Sequence, residues 1–143
     1  MFLLTKHAAP HLRESEHGSV VNIASISGKR PLESRTPYVA SKMTVIGMTR
    51  TWAFEFGDAG VTVNAVCPGA TRGPRIDSVI GTRAAELDVD YAEARRRMFT
   101  DETALGGLVD ATDTARTVLF LASDLGRHIT AQDINVDGGT VWY

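Results

Sequence analysis

A serine, a tyrosine and a lysine are the residues of this 143-residue chain whose types and spacing favour chemistry. Tyr38 and Lys42 are four residues apart, so a helix would place both side chains on one face, one turn from each other. An ammonium group beside a phenol stabilises the phenolate, and a phenol placed in this way can give or take a proton near neutral pH. Ser25 precedes both residues, and its hydroxyl is suited to donate a hydrogen bond to a developing alkoxide or a carbonyl oxygen.

The same three residues also have a purely structural interpretation. Tyrosine and lysine at this spacing occur by chance on many helices, and a serine that follows a strand is more often a turn or cap residue. The elements that position the three side chains must therefore decide between the two interpretations.

Those elements alternate between helices and strands, which predicts a parallel sheet with helices on its faces, an open α/β fold. Thr36 followed by Pro37 predicts an N-cap and a proline in the first turn of the helix that carries the tyrosine and the lysine. The predicted elements are a helix over Met1–Glu16, a strand over Ser19–Ala24, a loop over Ser25–Thr36, a helix from Thr36 to about Gly57, a strand over Val61–Cys67, a helix from Asp110 or Thr112 to residues 123–126, and a strand over Asp133–Val136.

Residues 70–110 are polar and rich in arginine, which predicts a surface flap with one or two short helices that covers a substrate. Arg72 and Arg75 flank this flap and are candidates to bind a carboxylate, phosphate or sulfonate group, although a solvated role is the more common one for arginine. Only three strands are found, so at least one edge of the sheet is expected to be open.

Four separate motifs of the chain together resemble the short-chain dehydrogenase/reductase family. They agree with that family in order and spacing over essentially the whole chain, and they correspond to the C-terminal part of its Rossmann-like, doubly wound domain. The motifs are GSVVNIASISG at residues 18–28, PYVASK at residues 37–42, VNAVCPG at residues 63–69 and INVDGG at residues 134–139.

The resemblance implies an NAD(P)-dependent oxidoreductase that interconverts a small-molecule alcohol and a carbonyl compound by hydride transfer. It makes Tyr38 the general acid/base and gives Ser25 the role of orienting the substrate oxygen. Lys42 would assist Tyr38 by stabilising its phenolate and would contact the nicotinamide ribose. Pro68 and Gly69 would border the nicotinamide ring. Thr71 lies where the backbone of family members contacts the carboxamide group of the nicotinamide. Gly73 lies where many members have a threonine.

The family's glycine-rich turn for the adenosine and pyrophosphate groups is not found after any strand of this sequence. We therefore expect a truncated domain with impaired binding of NAD or NADP and little or no turnover. A fragment or misassigned start, a half-domain that pairs with another chain, and a relic with a binding role all stay open. The rival interpretation is a non-catalytic assembly or binding module derived from the family.

Composition and a few single residues limit the partners, the compartment and the metal sites that are expected for the chain. A chain with 43% hydrophobic residues and a net charge of −2 is typical of one domain over residues 1–143, which the resemblance implies is a partial one, without a nucleic-acid or membrane partner. One cysteine, Cys67, and no visible leader favour the cytoplasm, and packing is the expected role of this thiol. His7 and His11 have no supporting ligand, so no metal site is predicted. The apolar helix with Trp52 and the C-terminal apolar residues favour a homo-oligomer.

Overall fold

The computed structural model describes all residues from Met1 to Tyr143 and contains one parallel sheet of three strands. The strands are β1 (Ser19–Ile23), β2 (Thr62–Pro68) and β3 (Asp133–Val136), in the order β1-β2-β3. Strand β2 is the centre of the sheet, and the five residues from Val63 to Cys67 have no exposed surface. The α/β class predicted from the alternation of helices and strands is confirmed.

The register of the sheet brings two chain segments of chemical interest to one edge. Ile23 at the end of β1 is paired with Val66, and Pro68 at the end of β2 is paired with Val136 of β3. The carboxyl ends of parallel strands meet at the same edge of a sheet, which is where open α/β folds bind their ligands. The segments that follow Ile23 and Pro68 are therefore neighbours.

Five α-helices accompany the sheet, and two of the sequence predictions about them are wrong. The flap is not made of short helices only, because α3 is 14 residues long. Thr36 is the first residue of α2 and not its N-cap, since Arg35 holds the cap position. The helices are α1 (Phe2–Glu14), α2 (Thr36–Glu55), α3 (Pro74–Leu87), α4 (Tyr91–Arg95), followed by a π-helical turn over Arg96–Thr100, and α5 (Ala111–Ala122).

Helix α1 packs with a different face from the one that its apolar residues suggest. Leu3 and Leu4 are 67% and 75% exposed, whereas Thr5 is buried. Leu12 packs on the cluster formed by Trp52 and the start of β2, and the ring of Phe2 stacks on Trp52 at 6.4 Å. The contact face thus follows helical spacing through residues 5 and 12, and Leu3 and Leu4 lie outside it.

The flap has a small core of its own. Ile80 and Ala94 are fully buried, and Ala84 is 8% exposed in the same cluster. The partly buried side chains of Val89 and Leu108 pack against these residues. This segment therefore adds a packed layer of helices and is more than a charged surface loop.

A buried ion pair ties β3 to the rest of the fold. The Lys29 ammonium lies 2.8 Å from the Asp133 carboxylate, and both side chains are about nine-tenths buried. Arg50 of α2 contacts the same carboxylate at 2.6 Å. Burial alone would raise the pKa of the Asp133 carboxyl, but hydrogen bonds and charge from Lys29 and Arg50 outweigh it and hold that pKa below its ordinary value.

The outer edge of β1 is unpaired, as expected for a sheet of three strands. Ile23 on this strand is 43% exposed, and Met43 and Phe54 of α2 are 57% and 84% exposed. None of the helices combines the length and the apolar character needed to span a bilayer.

Candidate active site

A cleft of about 740 Å³ lies at the carboxyl ends of β1 and β2. Its walls come from the segment after β1, the first two turns of α2, the segment after β2, and the flap. All the site residues predicted from the sequence line this one cleft, namely Ser25, Tyr38, Lys42, Pro68, Gly69 and Thr71.

Ser25 follows β1, and its hydroxyl group caps a turn while its proton stays available to a ligand. Ser25 is buried. Its Oγ accepts a hydrogen bond of 3.1 Å from the backbone N–H of Ser27, and this bond caps a short 3-10 turn over residues 26–28. The Ser25 hydroxyl donates to no protein acceptor. Its proton is therefore free to be donated to an oxygen atom of a ligand in the cleft.

Lys42 reaches from α2 to the end of β1. Its Nζ donates a hydrogen bond of 3.1 Å to the carbonyl oxygen of Ile23, the last residue of that strand. An ammonium group has three donors, so this anchor fixes the position of the charge while two donors stay available. The sheet thereby holds the lysine head beside the segment that carries Ser25.

Tyr38 lies in the first turn of α2 and is half-buried against the cleft. The Lys42 Nζ is 5.8 Å from the centroid of its ring, close enough for a cation–π contact. The Tyr38 hydroxyl makes no hydrogen bond within the protein. Residues 38 and 42 therefore share one helix face, as their spacing predicts, and the phenol remains free for a ligand.

The segment after β2 forms the opposite wall, and its glycines have structural reasons of their own. A Cβ at Gly69 would lie 2.8 Å from the Cβ of Asp137, so a glycine is required where the chain that follows β3 crosses β2. Gly73 has a φ of 150°, which side-chain-bearing residues rarely adopt, and this explains why no threonine is present there. The Thr71 hydroxyl donates to the Gly69 carbonyl at 3.1 Å, so its proton is not free for a ligand.

Gly28, the last residue of the first motif, is a positioning residue whose role is not evident from the sequence. A Cβ at this position would lie 2.9 Å from the backbone carbonyl carbon and oxygen of Lys42. The absence of a side chain therefore lets the 3-10 turn after Ser25 rest directly on α2. The only sequence signal for this contact is the glycine itself, three residues after the serine.

The two flap arginines have different surroundings. Arg72 forms an ion pair of 2.9 Å with Asp110 and does not line the cleft, so the hypothesis that it binds substrate is not supported. Arg75 lines the cleft, as do Met98 and Phe99 from the end of the flap.

Cys67 is fully buried behind the cleft, and burial raises the pKa of its thiol, so it stays protonated near neutral pH.

Comparison with known proteins shows that the sequence of this chain is similar to those of reductases. A family model described as enoyl-(acyl carrier protein) reductase matches residues 1–141. The chain is 34% identical over 141 residues to the 3-oxoacyl-[acyl-carrier-protein] reductase FabG of Thermotoga maritima, an alignment that covers 99% of this chain and 52% of that protein.

Solved structures agree with this result. An actinorhodin polyketide ketoreductase variant with NADPH superposes with a TM-score of 0.87 at 36% identity, over 99% of this chain and 55% of that one. A 4-hydroxyisoleucine dehydrogenase complexed with NADH gives 0.75 at 31% identity, over 98% and 54%. The chain thus spans about half the length of the curated relatives it matches. It belongs to the short-chain dehydrogenase/reductase family.

Proposed function

We propose that the protein is an NAD(P)-dependent oxidoreductase that interconverts a secondary alcohol and a carbonyl compound. The observation that carries this proposal is that Ser25, Tyr38 and Lys42 line one cleft, with the hydroxyls of the first two free of protein acceptors. The relatives, which are a reductase, a ketoreductase with NADPH and a dehydrogenase with NADH, support the same reaction class.

Each of the three side chains has one task at the substrate oxygen. In the oxidation direction, Ser25 donates a hydrogen bond to the alcohol oxygen and orients it, and Tyr38 takes the hydroxyl proton as the C–H bond releases its hydride. In the reduction direction, Tyr38 returns a proton to the same oxygen. When bound, the nicotinamide accepts or supplies the hydride.

Lys42 and the opposite wall of the cleft fit the nicotinamide end of the cofactor. Lys42 keeps two donors beyond its bond to Ile23, enough to hold ribose hydroxyls. Pro68 and Gly69 supply open backbone at the rim. A cleft of about 740 Å³ is also within the usual size of ligand sites, about 300–1,000 Å³.

The adenosine and pyrophosphate end has no corresponding cradle among these 143 residues. No strand here leads through the family's glycine-rich turn into a helix. We therefore propose that these residues bind NAD or NADP weakly by themselves. Calorimetry with NADH and NADPH tests this: dissociation constants in the micromolar range would contradict it, and millimolar ones would agree.

The reaction class is tested by replacing the phenol. Tyr38→Phe should lower the rate of hydride transfer in any active form by at least about 100-fold, because positioned proton transfer supplies that factor or more. Tyr91→Phe is the matched control, since this tyrosine donates to Asp77 at 2.7 Å and lies outside the cleft. A Tyr38→Phe protein with full activity would overturn the assignment.

A second candidate is a non-catalytic assembly module, favoured by the open edge of β1 and the exposed apolar side chains of α2. Phe54 is 84% exposed and Trp142 is 88% exposed, which supports a homo-oligomer under either function. The mass in solution tests the oligomer, and a monomer that binds neither dinucleotide nor a second chain would contradict both candidates.

A further inference from the structure

The cleft has the opposite charge balance from the protein as a whole. The whole chain has a net charge of −2, whereas the side chains that line the cleft are five cationic and two acidic ones. A concave wall of one sign concentrates the field and attracts ions of the other sign. The charged side chains in the lining are Arg30, Arg35, Lys42, Arg75, Arg83, Glu33 and Glu102.

The arginines of this lining are not equally engaged. Arg30 pairs with Glu102 at 3.2 Å, and Arg83 pairs with Glu86 at 2.9 Å. Arg35 and Arg75 have no carboxylate within 4.0 Å, although eight of the twelve arginines of the chain do. Of the four arginines without a carboxylate partner, Arg35 and Arg75 are the two that line the cleft, where a ligand can reach them.

Each of these two arginines is adjacent to a different part of the site. Arg35 precedes the first turn of α2 and lies three residues before Tyr38, on the catalytic side of the cleft. Arg75 lies in the first turn of α3 on the flap, and Val79 lines the cleft one turn later. Both arginines therefore line the cleft together with an apolar wall formed by Ile76, Val79, Met98 and Phe99.

We propose that the substrate of this site carries an anionic group, a carboxylate or a phosphate ester, bound by Arg35 and Arg75, with its uncharged part against the apolar wall. This inference rests on the proposed oxidoreductase function and adds the substrate class to it. A guanidinium presents a planar fork of donors that matches carboxylate and phosphate oxygens, and it keeps its charge at all physiological pH values.

The test measures binding and needs no turnover. The protein is titrated with 4-oxopentanoate, with its neutral amide 4-oxopentanamide, and with inorganic phosphate, and dissociation constants are obtained by NMR. The oxo-acid should bind at least about tenfold more tightly than the amide, and Arg35→Gln or Arg75→Gln should each weaken its binding about tenfold, the ratio expected for one charge-assisted contact. Amide binding should not change.

Arg72→Gln is the matched control, because it removes the same charge three residues from Arg75 but outside the cleft lining. Equal affinity for the oxo-acid and the amide would overturn the inference, and so would an Arg75→Gln effect no larger than that of Arg72→Gln. Tighter binding of phosphate than of the oxo-acid would support the phosphate ester form. Because Tyr38→Phe tests hydride transfer separately, a failure of this inference is distinct from a failure of the reaction class.

Discussion

Gly28→Ala is the substitution that most directly tests how the site is held together. The added Cβ would lie 2.9 Å from the backbone carbon and oxygen of Lys42 and 2.9 Å from the Cδ1 of Ile46. The Ile46 methyl group belongs to a flexible side chain and can rotate away. The backbone of a helix cannot, so the 3-10 turn that follows Ser25 must move away from α2.

The size of the effect follows from this distance. Ordinary contact of a Cβ begins at 3.4 Å, so the turn has to shift by about half an ångström. Overpacking of this kind costs about 1–3 kcal/mol, and the reduced freedom of the unfolded chain returns about 0.4–1 kcal/mol. We expect Gly28→Ala to lower the free energy of unfolding by about 1–2 kcal/mol.

Gly47→Ala is the matched control on the same helix. A Cβ at Gly47 meets nothing within 4 Å, and alanine is about 0.8–1.0 kcal/mol better than glycine inside a helix. Urea denaturation of both variants and the wild type measures the two free energies. The same chemical change should therefore destabilise the protein at one position and stabilise it at the other.

Gly28→Ala should also affect catalysis. A shift of the Ser25 turn relative to α2 separates the serine from Tyr38 and Lys42, and misplacement by about 1 Å can cost about 100-fold in rate. We expect about a tenfold loss of turnover in Gly28→Ala and none in Gly47→Ala. A Gly28→Ala protein as stable and as active as the Gly47→Ala protein would refute the argument.

Three further substitutions and treatments test other parts of the fold. Asp133→Asn should destabilise the protein by about 3 kcal/mol at neutral pH, because it breaks a buried ion pair with Lys29. Because folding lowers the pKa of Asp133, the carboxylate stabilises the fold above the ordinary carboxyl pKa of about 4, and this stabilisation is lost as the pH falls below that value. The free energy of unfolding of the variant, measured with urea, should therefore depend less on pH between about 5 and 3. Cys67 should react with a thiol reagent at about pH 8 only after unfolding, because burial raises the pKa of its thiol. Ile80→Val should cost about 1 kcal/mol in denaturation, the usual effect of removing one buried methylene.

Each of these expectations has a result that would contradict it. An acid dependence that is the same in the wild type and Asp133→Asn would show that this carboxylate does not contribute to acid sensitivity. Rapid labelling of native Cys67 would mean that the wall behind the cleft opens. An Ile80→Val protein with unchanged stability would mean that the flap has no core of its own.

The sequence was sufficient to predict the elements that carry strong local signals. The apolar run through Val63 predicted a buried strand, and the proline at position 37 predicted the start of α2 to within one residue. The spacing of Tyr38 and Lys42 predicts that they share a helix face, and the resemblance to the family adds Ser25 to them; all three line one cleft.

The features that the sequence did not predict depend on contacts between distant segments. Gly69 is required by Asp137, which is far away in the chain, and Gly28 is required by the backbone of α2. The burial of Thr5 in place of Leu3 depends on which side of α1 meets the cluster around Trp52. Periodicity gives the apolar face of a helix, but the partner surface decides which face is covered.

The connection between β2 and β3 has a consequence for the order of folding. It runs from Pro68 to Asp133 and contains the whole flap, so the pairing of these two strands is a contact of high sequence separation. Such pairings form slowly, because the entropy of closing the long loop is lost before the contacts are gained. Thr140, which follows β3, lines the cleft, and Asp137 packs against Gly69 of the cleft wall. A refolding chain can therefore have all its helices and still lack a binding site, and ligand binding reports on a later folding event than helix content does.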